Sequence, residues 1–152
     1  MEDDASDLLE AAMRALRAEY LYEAPERVRE LSAALGRLRA GDTSAFEDLE
    51  RYFHRLAGPG GSYGFPKITE RGRTAEHAVI RLVGEARTLQ REDFEILEEH
   101  VLNVAEAFQT AQQEAHRENW DQAVLQYSKA RALDPGNERY DIALTRAKLK
   151  AS

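Results

Sequence analysis

Cysteine is absent from the 152 residues, which removes disulfides, thiolate metal sites and cysteine nucleophiles. No run of about 18 apolar residues occurs, so the sequence offers no membrane span. A basic excess is missing as well. With 28 acidic residues against 21 lysines and arginines, the net charge of -7 repels phosphate backbones and argues against nucleic acid as a partner. The start, Met1-Glu2-Asp3-Asp4, lacks the positive region of a secretory signal. These absences leave an acidic chain with enough apolar residues for a core, expected in the cytoplasm. Glycine and proline are scarce and unevenly placed. Five of the nine glycines and two of the four prolines fall between Gly58 and Gly72.

Elsewhere apolar residues recur at helical spacing, and alternating strand-like runs are missing. Leu8, Leu9, Ala12, Met13 and Leu16 mark a first helix. Pro25 suits the first turn of the next, which carries Val28, Leu31, Leu35 and Leu38. Gly41-Asp42 ends it, and Ser44 with Glu47 has the form of a capping box. Phe46, Leu49, Phe53 and Leu56 continue the rhythm. Ile68, Ala75, Val79 and Leu82 form another stripe, and Phe94, Leu97, Val101, Val104, Phe108, Ala111 and Ala115 the longest. Narrow seams joined by short connectors predict an all-α fold, an up-and-down antiparallel four-helix bundle with a C-terminal helical hairpin.

The four histidines form neither HExxH nor a Glu-x-x-His pair, so a metal centre is not expected. His77, His100 and His116 lie in charged surroundings. His54 differs in its neighbours. It follows the seam residue Phe53, about 100° around the helix, which places it at the rim. Glu50, Arg51, Ala57 and Gly58 lie one turn away and Gly61 a further turn on. Three glycines kept in a helix cost about 3 kcal/mol relative to alanine, and departures of that size tend to mark function. A surface without Cβ atoms lets another backbone approach the imidazole. The same stretch also reads as a loop, with the helix ending at Ala57 and Gly58 as its cap. Proline at 59 predicts a kink or a break near residues 55 to 59. A phosphate-binding glycine loop is set aside, since no GKS/T and no preceding strand are present.

His54-Arg-Leu-Ala-Gly58-Pro-Gly-Gly-Ser-Tyr-Gly64 resembles the signature of histidine-containing phosphotransfer (HPt) domains. Leu56, Gly58 and Gly64 match it, and Ile68 and Glu76 fall at the offsets that the family shows on its next helix. The similarity extends over about residues 20 to 112. The resemblance implies a four-helix bundle whose exposed histidine, His54, accepts a phosphoryl group from a receiver aspartate or a histidine kinase and passes it to a receiver. It implies no cofactor in this chain, Mg²⁺ being expected in the partner receiver only, and no autonomous catalysis. A neutral imidazole, which in general titrates near about 6.5, suits the nucleophile's role. Ala57 stands where the family has lysine, and Arg51 and Arg55 are candidate cations in its place. The expected partner surface is therefore Glu50, Arg51, Arg55, Ala57, Gly58 and Gly61. Leu56, Gly64 and Glu76 are expected to act structurally.

Asn119-Trp-Asp-Gln-Ala123, Tyr127, Ala130, Leu133 and Pro135 look like the second helix of a tetratricopeptide repeat, with Ala111 on the first. One repeat cannot bury its own face, so the tail is expected to form a hairpin on the bundle, anchored by Trp120, or to dock a partner protein. The resulting division is an N-terminal helix over 1-19, an HPt-like bundle over 20-117 and a hairpin over 118-152. The alternative to a phosphorelay carrier is an adaptor of the same fold that has lost phosphotransfer, favoured by Ala57 and Pro59.

Overall fold

A computed structural model describes residues 2–60 and 63–152. Five helices account for nearly all of them: α1 Glu2–Arg39, α2 Ala45–Gly60, α3 Pro66–Glu85, α4 Arg91–Leu133 and α5 Glu138–Ala151. No strand occurs among the described residues, and none of these helices is long and apolar enough to cross a membrane. The fold is the expected all-α helical bundle. The chain divides into a compact unit from residue 1 to 109 and a second from 110 to 152, with α4 running through the division.

Two helices expected at the start are one. Pro25 lies inside α1 and does not begin a new helix. Its missing N–H and its ring work against the helix by about 3 kcal/mol. Leu21 and Ala24 before it and Leu31 and Leu35 after it are all buried on one stripe, and that packing holds the helix through the proline. α1 ends in a Schellman motif. Gly41 takes φ +96, the Asp42 N–H donates to the Arg37 carbonyl at 3.0 Å and the Gly41 N–H to that of Leu38 at 3.0 Å. The anticipated capping box is replaced by Asp42, whose carboxylate accepts both the N–H and the hydroxyl of Ser44. That hydroxyl is the main reason the Asp42 carboxyl is held below its usual range.

The core of the first unit joins Leu31 and Leu38 of α1, Leu49 and Phe53 of α2, Ile68 and Val79 of α3, and Leu97 and Val104 of α4. Polar links tie the helices at the rim. Arg37 of α1 donates to Asp48 of α2 at 2.7 Å, and Arg39 of α1 to Glu98 of α4 at 2.8 Å. The start of α4 is fixed by Asp93, 5 % exposed, which accepts two bonds from Arg87 and one from the Gln90 N–H. Arg87 first, then the Gln90 N–H, holds the Asp93 carboxyl down at about 2.

In the second unit a turn at Asp134–Asn137 leads from α4 into α5, where Leu144 and Ala147 are buried. The Asn137 side chain caps α5 by accepting from the Arg139 N–H, and Arg131 pairs with Asp141 at 3.5 Å. Residues likened to two helices of a repeat lie on one unbroken helix, α4, with no turn between Ala111 and Tyr127. Trp120 is half-buried and donates its Nε1–H to His116 one turn earlier at 2.9 Å, a bond within α4.

Candidate functional site

α2 buries Ala45, Leu49, Phe53, Leu56 and Ala57 along one stripe, and that stripe decides where its histidine goes. His54, one residue past Phe53, is turned to the rim next to α3, with 76 % of its side chain exposed. Its Nδ1 lies 3.0 Å from Oε1 of Glu76, whose side chain is only 16 % exposed. A carboxylate only accepts, so Nδ1 carries the proton and donates. The other ring nitrogen, Nε2, is then the unprotonated atom of a neutral ring.

The expected break near residues 55 to 59 does not occur. α2 runs on to Gly60, so Gly58 is a helical residue and not a cap after Ala57. Pro59 falls in the last turn, where it leaves the Arg55 carbonyl without an intrahelical donor, and the helix ends one residue later at Gly60. One further bond supports this end. The Tyr20 phenol of α1 donates to the Leu56 carbonyl at 3.1 Å. Tyr20 itself sits in an aromatic group, with ring centroids 5.2 Å from Tyr63 and 5.5 Å from Phe108. Burial, and secondarily Tyr63, pushes its phenol well above the usual range.

The glycines near His54 serve different ends. Among the described residues, a methyl group added at Gly58 would meet nothing within 4 Å. The fold therefore does not require glycine there, yet glycine weakens the helix. At Gly72 of α3 the same methyl would lie 3.1 Å from the Ala57 Cβ and 3.2 Å from its nitrogen. This is a close approach of α2 and α3, and it corrects the placement of Ala57. Expected on the partner surface, Ala57 is only 3 % exposed because it packs on Gly72. Gly64 takes φ +86 in the turn before α3, a conformation that favours glycine. Gly61 lies outside the described residues.

The remaining expected residues are dispersed around His54. Leu56 is buried in the core. Glu50 is half-buried one turn before His54. Arg51 is exposed but engaged by Asp48 at 2.7 Å, with its guanidinium 5.4 Å from the Tyr52 ring centroid, so it is directed along its own helix. Arg55 is exposed on the α1 side, bordering a cleft of about 420 Å³ lined also by Glu19, Tyr20, Glu23 and Tyr63. Glu76 is the partner of the imidazole and more than a structural residue. Gly72 and Tyr20 were not foreseen. Gly72 stood out only as the end of the glycine-rich stretch, and nothing in the spacing of α1 marks Tyr20 apart from other seam residues. No group of three or more metal-ligating side chains occurs among the described residues.

The sequence model of the Hpt domain matches residues 15–126. No curated protein and no solved structure matches the chain.

Proposed function

The chain belongs to the Hpt domain family, and we propose that His54 is its phosphoryl-carrying residue. Membership gives it a phosphotransfer-related role in two-component signalling, where Hpt domains work with receiver domains and histidine kinases. The observation that carries the assignment to His54 is its pairing with Glu76. A largely exposed imidazole has Nδ1 engaged and Nε2 as its free nucleophile.

Transfer from a receiver then proceeds as follows. The Nε2 lone pair forms a bond to phosphorus while the O–P bond of the aspartyl phosphate breaks. Its electron pair leaves with the aspartate carboxylate. The Nδ1 proton stays on the ring, and the resulting imidazolium faces the Glu76 carboxylate, which opposes its positive charge. The reverse step delivers the group to a second receiver. Phosphoryl transfer depends mainly on positioning and charge stabilisation. The receiver brings Mg²⁺ and its own acidic residues, and this chain presents the histidine on a rigid helix in the cytoplasm. The open surface at Gly58 admits the receiver's backbone.

An adaptor without phosphotransfer is the second reading, and Ala57 favours it. Pro59 no longer does, since α2 is continuous through it. The deciding experiment incubates the chain with an acetyl-phosphate-charged receiver domain and follows acid-labile label. Label on the wild type that is lost in His54→Gln supports the carrier. No label on the wild type, or equal label on His54→Gln, supports the adaptor.

A further inference from the structure

A phosphoryl group on Nε2 of His54 creates an electrostatic difficulty. The ring already has the Glu76 carboxylate 3.0 Å from its other nitrogen. Two anions across one imidazole repel each other, and an exposed anionic group next to a carboxylate calls for a cation. Position 57 cannot supply it, because Ala57 is buried on Gly72. Of the two arginines on α2, Arg51 is held by Asp48 and Arg55 borders the cleft on the α1 side.

The register of α2 against α3 is pinned at two places, Ala57 to Gly72 and His54 to Glu76. Arg73 lies between them on α3. It follows Gly72, and it stands three residues before Glu76, on the same flank of the helix. It is exposed, and it forms no ion pair among the described residues. Across from it α2 offers only the small Ala57 and, at Gly58, a position where an added Cβ would meet nothing within 4 Å among the described residues. A guanidinium offers paired N–H donors that match phosphate oxygens.

We propose that Arg73 binds the phosphoryl group carried by His54, supplying from α3 the cation that α2 lacks. This rests on His54 as the carrier. Arg73 lowers the energy of the transferring group, and it also slows hydrolysis of the phosphohistidine by holding its oxygens.

The test uses the full chain and phosphoramidate, a small donor without a protein surface. The N–P bond of the donor breaks, ammonia leaves and the Nε2–P bond forms. Arg73→Ala is expected to lower the labelling rate at His54 and the phosphohistidine half-life, each by about tenfold, the scale of one charge-assisted hydrogen bond. Arg73→Lys should recover part of both. Arg71→Ala, an exposed arginine on the other flank of α3, should match the wild type. Wild-type labelling and half-life in Arg73→Ala would overturn the proposal. So would a defect seen only with a charged receiver, which would make Arg73 a docking residue. A wild type that takes no label at His54 fails differently, because it removes the carrier assignment itself.

Discussion

Nδ1 of His54 on α2 lies 3.0 Å from Oε1 of Glu76 on α3, twenty-two residues further along the chain. The bond sets the tautomer of an exposed ring from a mostly buried carboxylate. It makes the reactivity of His54 depend on how α2 and α3 sit against each other.

Glu76→Ala is therefore expected to leave the helices intact and to slow labelling of His54 by about tenfold, the loss of one charged hydrogen bond. Nitrogen-15 spectra of the imidazole check the cause. The wild type should show a single tautomer protonated at Nδ1, and the variant a mixture. A single Nδ1–H form in Glu76→Ala would show that the carboxylate does not set it.

Gly58 and Gly72 should respond in opposite directions to the same added methyl. Gly58→Ala fills open space in a helix and is expected to stabilise the fold by about 0.5–1 kcal/mol. It should slow transfer from a receiver without changing labelling by phosphoramidate. Gly72→Ala forces a methyl against Ala57 and should destabilise by about 1–3 kcal/mol. Denaturant titrations of both variants, with the transfer assay for Gly58→Ala, give the comparison.

Tyr20→Phe keeps the aromatic group and removes only the hydroxyl that donates to the Leu56 carbonyl. A loss of about 1 kcal/mol is expected. Hydrogen exchange should localise the loosening to the last turn of α2. Uniform destabilisation without local change there would count against the role given to this bond.

Acid should weaken the fold in two steps. Burial, the leading cause, together with Arg81 holds His100 below its usual pKa, while Glu99 opposes them. The unfolded chain thus binds that proton first, and stability falls as the pH drops below about 6.5. The Asp93 carboxyl, held at about 2, stabilises the folded form above the ordinary carboxylate range. Its contribution is lost as the pH falls from about 4 through 2. His100→Gln should flatten the first part of a stability profile and Asp93→Asn the second, as read by thermal melts across pH.

Much of the fold was legible because a seam is a local property. Leu49, Phe53 and Leu56 mark the buried face of α2 whatever packs on it, and a residue one step past Phe53 must reach the rim. The spacing of His54, Gly58 and Gly64 likewise pointed to the family. Helix ends were less legible. Pro25 and Pro59 read as boundaries by their missing N–H, yet α1 and α2 pass through them. Around Pro25 the packing of α1 against the core outweighs the local cost.

The sequence by itself determined an all-helical bundle and an exposed histidine at the edge of a glycine-rich stretch. Only the tertiary structure decided what surrounds that histidine. It buried Ala57 against Gly72, paired Arg51 with Asp48, set Arg55 at the cleft on the α1 side, and brought Glu76 to the ring. The physical reason is that the register between two helices is set by the side-chain volumes on both contact surfaces at once. The periodicity of either helix shows which face is buried, but not which residue of the other helix it will meet.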